Sequence, residues 1–280
     1  MKLSAWVTVS DLIPLRQTGI EKVIDFFDNK QTMFHSLSHE YIFSSLKQAG
    51  VDGIELLIPR YTSDTDMQAV TAILKKYQMP VLSIHQSLSN RTTITLSEIE
   101  RLCQISQIFS ASVVVLHSGA LGMKLFEGEF VRKLKALQKQ YHLTFGIENM
   151  QRYPFPLPTP VYTYNGDVFA KMVRDAGIGI TFDVTHLAQV GEDVTQFYLE
   201  NKQRIVNIHL SDFKKTWLNT KLHLPDHMHL ALGDGTLPLE GFLKTLQKEN
   251  YKGLITMEIN ADLEKLCKSA SMIKKYVKSV

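Results

Sequence analysis

IGITFDVTH, residues 178–186, is a short apolar run that ends in an aspartate and a histidine. Seven further runs share its apolar, often β-branched middle. The eight runs are LSAWVTVS (3–10), GIELLI (53–58), VLSIHQ (81–86), SVVVLHSG (112–119), LTFGIENM (143–150), IGITFDVTH (178–186), IVNIHLSD (205–212) and LITMEIN (254–260). Because several of them do not alternate with polar residues, they are typical of parallel strands that are buried on both faces.

Longer amphipathic stretches separate these runs and predict helices. LSEIERLCQISQIF (96–109) opens with Ser97-Glu98-Ile99-Glu100, which has the spacing of a capping box. GDVFAKMVRDAG (166–177) and EGFLKTLQKENYKG (240–253) each end at a glycine, which predicts the helix stop. Eight strands alternating with helices predict an α/β fold with a parallel sheet, closed as a (β/α)8 TIM barrel. The alternative, a doubly wound open sheet, lacks its Gly-x-Gly-x-x-Gly signature after the first strand.

Size and composition agree with one domain. The chain has 280 residues, 44% of them hydrophobic, so we expect a single (β/α)8 barrel over residues 1–280. No apolar run approaches the roughly 20 residues of a membrane span, and MKLSAWVTVS at the N-terminus lacks signal-peptide features. We therefore expect a cytoplasmic protein with no membrane partner. Cys103 and Cys267 lack metal-type spacing and are interpreted as small hydrophobic residues.

Charge and loop lengths give weaker information. The net charge of +3 fits a phosphorylated substrate or nucleic acid, but ordinary enzymes show it as well. Two long connections, 151–166 with four prolines and 213 to about 238, follow strands and are expected on the C-terminal face of the barrel. We interpret the first as a lid or as part of a contact in a homo-oligomer.

Metal-capable residues stand near the C-terminal ends of six successive strands. They are His85, His117, Glu148, Asp183 with His186, His209 with Asp212, and Glu258, while His227 and His229 precede Gly233-Asp234-Gly235. The C-terminal ends of barrel strands form one ring, so these side chains are expected to converge. Carboxylates there are costly to bury without cations, and a divalent metal compensates several at once. Oxygen and imidazole ligands together suit Mn²⁺, Zn²⁺, Co²⁺ or Mg²⁺.

Taken singly, most of these residues have ordinary explanations. His85 or His117 alone would more often be a hydrogen-bonded core histidine, and Asp183 alone could be a helix N-cap. His227 and His229 alone could be a solvated loop pair. Glutamate is rarely buried unpaired, so Glu148 and Glu258 are harder to explain in this way. The joint pattern therefore predicts a metal site, whereas His35, His39, His142 and His223 fall outside it.

This constellation resembles the xylose isomerase-like TIM-barrel superfamily over roughly residues 50–260. The resemblance rests on Glu148, Asp183-x-x-His186, His209-x-x-Asp212, His229…Gly233-Asp234-Gly235 and Glu258. The superfamily includes sugar and sugar-phosphate isomerases and epimerases, dehydratases and the endonuclease IV family. By resemblance to the epimerases, Glu148, Asp183, His209 and Glu258 would hold one divalent metal.

Two functions follow from the resemblance. In an isomerase or epimerase of a sugar or sugar phosphate, Glu148 and Glu258 would exchange protons with substrate, and His186 would assist. Asp212 would position His209. Lys214 and Arg152 are candidate contacts to the substrate, as are Lys215 and Arg60.

Apart from these two functions, a third hypothesis is a barrel that binds a small ligand without catalysis. The set of metal-capable residues makes it the weakest of the three.

The second function is a multi-zinc phosphodiesterase of the endonuclease IV type. Its additional metal ligands would be His85, His117, His186, His227 and His229. His227 stands where that family typically has aspartate, and Leu88 stands where it has an aromatic wedge. The arginine that ketohexose epimerases carry after the seventh-strand histidine is absent as well. The sugar enzyme is therefore our first expectation, and nucleic acid is the less favoured partner.

Overall fold

The computed structural model describes residues 1–15, 34, 37–87, 93–152, 160–215 and 227–276. Within them the strands are β1 Lys2–Thr8, β2 Gly53–Leu57, β3 Val81–His85, β4 Val113–His117, β5 Thr144–Glu148, β6 Gly179–Asp183, β7 Ile205–Leu210, β8 Asp212–Lys214, β9 His227–Leu230 and β10 Leu254–Met257. The helices are α1 Val9–Leu12, α2 His39–Gln48, α3 Asp64–Lys76, α4 Leu96–Phe109, α5 Ser118–Leu121, α6 Gly128–Gln140, α7 Val161–Tyr164, α8 Gly166–Ala176, α9 Val184–Gln189, α10 Val194–Asn201, α11 Leu239–Lys248 and α12 Leu263–Tyr276, with a 3-10 helix at Gly122–Phe126.

Eight of these strands form a closed parallel barrel in the order β1-β2-β3-β4-β5-β6-β7-β10, and β10 pairs with β1. Helices lie between consecutive strands, so the predicted (β/α)8 TIM barrel is confirmed. The eight runs quoted above correspond one to one to the eight barrel strands, which are shorter than the runs by one to four residues.

The apolar core lies mainly between the barrel and its helices. Outward residues of the strands, such as Ile84, Val114 and Ile147, pack with buried helix residues such as Leu134 and Phe242 in one large cluster. The helices present one apolar stripe to this layer, which is the arrangement expected of an outer ring.

The interior of the barrel differs, because it is partly polar. Residues paired across adjacent parallel strands share a face of the sheet. Glu55 of β2 is paired with Ser83 of β3. Asn207 of β7 is paired with Leu254 of β10, and Thr256 lies two residues further along β10, on the same face as Leu254. All of these polar residues have no exposed surface. This layer lies below the C-terminal mouth and supports the residues that end the strands.

A small antiparallel sheet of β8 and β9 follows β7 and was not predicted. Apart from Asp212, it lies within the long connection that the sequence marks as a loop from 213 to about 238. Several sequence predictions fall outside the described residues: the prolines at 154, 156 and 158, Leu88, His35 and His223. Among the helices that the structure describes, none is long and apolar enough to cross a membrane.

Candidate metal centre

The register of the barrel places the ligand-type residues side by side. His117 of β4 pairs with Glu148 of β5, and Asp183 of β6 pairs with His209 of β7. Glu258 directly follows β10, the other neighbour of β7. These residues all stand at or next to the C-terminal ends of their strands, as the sequence predicts, so hydrogen-bonded backbones fix their relative positions.

Four side chains meet at the centre of this ring. Glu148, Asp183, His209 and Glu258 each offer one ligand atom, and these atoms lie within 4.8 Å of one another. His209 Nδ1 lies 2.8 Å from Glu258 Oε2 and 3.4 Å from Glu148 Oε1. All four residues are buried. The structure thus brings together the four residues that the sequence predicts for one metal.

Local structure orients Asp183, which begins α9. Its Oδ1 accepts hydrogen bonds from the backbone N–H of His186 at 2.7 Å and from the Thr185 hydroxyl at 3.0 Å. The side chain of Asn149 holds the backbone of Asp183, accepting from its N–H and donating to its C=O. Asp183 is therefore both an N-cap and a member of the central cluster, because Oδ2 remains available.

Charges within the cluster shift the pKa values of its members. Burial alone would raise the pKa of Glu148, but the charge of His209 above all, together with the nearby His85 and His117, holds that pKa well below its ordinary value. Burial raises the pKa of Asp183, and the charges of Glu258 and Glu148 add to this against the opposing effect of His186. Burial lowers the pKa of His209, but Glu55 and Glu148 outweigh it and raise that pKa well above its ordinary value. Several carboxylates thus share one cavity, which favours a bound cation.

A second cluster shares Glu148 with the first. His85 Nε2 and His117 Nε2 each lie 3.4 Å from Glu148 Oε2. His85 Nδ1 lies 2.7 Å from the carbonyl of Gln86, so its N–H points there and the Nε2 lone pair faces Glu148. Two lone pairs facing each other are unfavourable unless a cation or a proton lies between them.

A third cluster consists of Asp183, His186 and His229. His186 Nδ1 lies 2.9 Å from the carbonyl of Asn149, and the ring of His186 meets the ring of His229 edge to face at 5.3 Å. His229 is buried, lies next to the last residue of its short strand and has a backbone φ of 55°. This cluster joins the end of β6 and helix α9 to the β8–β9 sheet.

The residues present fit a divalent cation. Ligand atoms bound at about 2.1 Å lie roughly 3 to 3.5 Å apart, which matches the separations around His209 and Glu148. Within the described part of the chain, Glu148 Oε2 and Asp183 Oδ2 are buried and have no hydrogen-bond partner. A metal would satisfy both atoms, and mixed carboxylate and imidazole ligands suit Mn²⁺, Co²⁺, Zn²⁺ or Mg²⁺.

Other residues predicted from sequence lie away from these clusters. His227 is exposed and belongs to none of the ligand clusters found among the described residues, in contrast to its predicted role as a metal ligand. Lys214, Lys215 and Arg152 are exposed, and their contact with a substrate stays a prediction. Arg60 is bound by Glu98 at 2.8 Å.

The predicted role of Asp212 is wrong. Its carboxylate accepts hydrogen bonds from four backbone amides, those of Phe213, Gly233, Gly235 and Leu237. The carboxylate that lies beside His209 is that of Glu55, whose Oε1 is 2.9 Å from His209 Nε2. Glu55 is not among the residues predicted from sequence, although a charged residue inside the apolar run GIELLI is itself a signal.

Comparisons with known proteins agree with the fold. The sequence model of the xylose isomerase-like TIM barrel family matches residues 43–276. The uncharacterized protein ML2432 of Mycobacterium leprae is 23% identical over 252 residues, which cover 81% of this chain and 85% of that protein. An inosose dehydratase of Mesomycoplasma hyopneumoniae strain 7448 is 22% identical over 277 residues, 89% of this chain and 90% of that protein.

A solved structure extends the comparison to three dimensions. The crystal structure of a D-tagatose 3-epimerase-like protein has a TM-score of 0.65 with this chain at 18% identity. The match covers 99% of this chain and 97% of the other, so the likeness of fold includes the whole barrel.

Proposed function

This chain belongs to the xylose isomerase-like TIM-barrel family, whose members include sugar-modifying isomerases, epimerases and dehydratases, and we propose that it is a divalent-metal-dependent isomerase or epimerase of a sugar or sugar phosphate. The observation that carries the proposal is the buried central cluster, in which two glutamates flank His209 Nδ1 at 2.8 and 3.4 Å. The names of the inosose dehydratase and of the D-tagatose 3-epimerase-like protein support a carbohydrate or polyol substrate.

The reaction needs a proton to leave and enter a carbon next to a carbonyl. A bound divalent metal supplies polarisation of that carbonyl, which makes the adjacent C–H more acidic. Glu148 and Glu258 come from strands on different sides of the ring, so one carboxylate can take a proton from carbon while the other returns one. His186, whose Nδ1–H is held by the carbonyl of Asn149, directs Nε2 away from that carbonyl as an acceptor for a substrate hydroxyl.

Solvent isotope exchange tests this proposal. The protein, supplied with Mn²⁺ or Zn²⁺, is incubated in D₂O with a panel of ketoses, aldoses and their phosphates. We expect deuterium in one substrate at a carbon next to the carbonyl. Glu148→Gln and Glu258→Gln should each reduce exchange by about 10²–10⁴-fold, the usual contribution of general acid–base catalysis. Glu192→Gln is the matched control, since among the described residues that glutamate accepts its hydrogen bond from the Gly166 amide and belongs to none of the ligand clusters, so the variant should exchange normally. Full exchange in both active-site variants would refute the acid–base assignment.

A second candidate is a multi-zinc phosphodiesterase, and the cluster of His85, His117 and Glu148 favours it. Those three residues add a second set of ligand atoms at metal-ligand spacing beside the central one. Metal analysis of the purified protein separates the two candidates: about one ion per chain favours the isomerase, and two or three zinc ions favour hydrolysis. Cleavage of an abasic-site DNA duplex, with no isotope exchange into any sugar, would establish the second candidate over the first.

A further inference from the structure

Glu55 lies in the middle of β2, in the polar interior layer below the central cluster, and its side chain is fully buried. A carboxylate in such a place is costly unless it is hydrogen-bonded and balanced by charge. A neutral side chain of similar size would fill the space more cheaply, so the position of this charge calls for a functional explanation.

One oxygen of Glu55 is held from three other strands. Oε2 accepts hydrogen bonds from Ser83 Oγ at 2.6 Å, Asn207 Nδ2 at 2.8 Å and Thr256 Oγ1 at 3.4 Å. The other oxygen, Oε1, is buried, has no hydrogen-bond partner among the described residues and lies 2.9 Å from His209 Nε2. The carboxylate is therefore fixed, with its second oxygen directed at the His209 ring.

The two nitrogens of His209 face opposite surroundings. Nδ1 faces the central cluster, 2.8 Å from Glu258 Oε2, while Nε2 faces Glu55. A neutral imidazole carries one hydrogen, and only the nitrogen without it can bind a metal. An acceptor beside one nitrogen therefore decides which nitrogen is the ligand.

We propose that Glu55 is the positioning residue of His209: it accepts the hydrogen of Nε2 and thereby directs the lone pair of Nδ1 into the cluster of Glu148, Asp183 and Glu258. This inference rests on the proposed metal-dependent function. It assigns to β2 a role that the sequence pattern suggests for Asp212, whose two oxygens are both bound to backbone amides. Such a partner fixes the orientation of the ring and makes it a stronger ligand.

Metal affinity measured apart from turnover tests the inference. Mn²⁺ binding is followed by electron paramagnetic resonance in the wild type and in Glu55→Gln, which keeps the shape of the side chain. We expect an affinity about 10- to 100-fold weaker in the variant, the usual loss when such a partner is removed. Ser83→Ala is the matched control, because it removes one hydrogen bond to Glu55 but keeps the carboxylate beside His209. We expect its loss of affinity to be threefold or less.

A second measurement needs no variant of Glu55. Imidazole ¹⁵N resonances of the Zn²⁺-loaded wild type, assigned through the loss of one signal set in His209→Gln, report which nitrogen carries hydrogen. Hydrogen on Nε2 and zinc on Nδ1 support the inference, and the reverse arrangement overturns it. Unchanged Mn²⁺ affinity in Glu55→Gln also overturns it while leaving the proposed function intact. If the wild type binds neither ion, the proposed function fails as well, so the two failures are distinguishable.

Discussion

The carboxylate of Asp212 ties together both ends of the segment that contains the β8–β9 sheet. Its two oxygens accept hydrogen bonds of 2.8 to 3.1 Å from four backbone amides, and the residue is buried. Charge-assisted hydrogen bonds of this kind are stronger than neutral ones, and each buried N–H that loses its acceptor is costly. Asp212 therefore stabilises the loop around Gly233 and Gly235.

We predict that Asp212→Asn lowers the free energy of unfolding by roughly 2–4 kcal/mol, because the amide cannot accept from all four donors. Urea denaturation measures the change. Asp52→Asn is a suitable comparison, since Asp52 is partly exposed and, within the described part of the chain, accepts from a single backbone amide, that of Leu3, so this variant should lose less stability. Equal losses in the two variants would contradict the assigned role of Asp212.

At this scale the sequence predicts the rim residues better than the residues beneath them. Glu148, Asp183 and Glu258 stand at or beside strand ends, where the barrel makes convergence certain once the strands are recognised. Glu55 stands in mid-strand, and whether it faces inward depends on a register that the chain alone does not specify. His227 and His229 are two residues apart in a short strand, yet one is exposed and the other buried.

Helix α4 shows how a helix start is chosen between two candidates. Both Thr95…Glu98 and Ser97…Glu100 have capping-box spacing, and the second is the cap predicted above. In the structure Thr95 is the N-cap: its hydroxyl accepts from the Glu98 N–H at 3.2 Å, and Glu98 accepts from the Thr95 N–H at 2.8 Å. The helix therefore begins one residue before Ser97.

Substitution of the two candidate caps distinguishes them. Thr95→Ala should lower the free energy of unfolding by about 1 kcal/mol, the usual value of an N-cap hydroxyl. Ser97→Ala should change it by less than about 0.5 kcal/mol, because Ser97 lies inside the first turn and is exposed. Thermal denaturation of both variants is the measurement. A larger loss in Ser97→Ala would argue against the cap seen in the structure.

The C-terminal ends of two other helices also show that the sequence predicts helix boundaries only in part. Gly177 ends α8 with a φ of 64°, as predicted, but Gly253 does not end α11. That helix stops at Lys248, and Asn250 takes the left-handed conformation with a φ of 54°. Asparagine tolerates this region better than most residues, so it replaces the expected glycine. Gly253 is required for a different reason: a Cβ added there would lie 2.2 Å from the Tyr251 hydroxyl, which is too close for a side chain.

At the scale of the molecule, the metal cluster links stability to ligand binding. The carboxylates of the rim repel one another, and an ion bound only by the folded chain stabilises it by mass action. At 100 times its dissociation constant, a divalent metal adds about 2.7 kcal/mol, which raises Tm by about 5 °C in a chain of this size. Differential scanning calorimetry with and without EDTA measures this.

Asp183→Asn provides the control for that experiment. It removes one of the converging carboxylates and should abolish most of the rise in Tm with metal, whereas Glu192→Gln should retain it. If neither saturating Mn²⁺ nor saturating Zn²⁺ changes the Tm of the wild type, the prediction that the folded chain binds a metal at the central cluster is wrong.

The closed barrel as a whole follows from the sequence, because eight apolar runs separated by amphipathic stretches fit few other architectures. The sheet of β8 and β9 does not follow from it, since His227–Leu230 is short and lies in a segment marked by turn residues. Short strands depend on partners that are supplied only by the folded chain.

The pairing of His117 with Glu148 and of Asp183 with His209 has a consequence for how new specificities arise in such a molecule. Side chains that are carried by the hydrogen-bonded strands of the barrel keep their positions when the loops that follow those strands are exchanged. Grafting a different β-to-α connection onto this scaffold is therefore expected to alter which compound enters while preserving the chemistry performed on it. Insertions in these connections can therefore change substrate specificity without changing the residues at the strand ends.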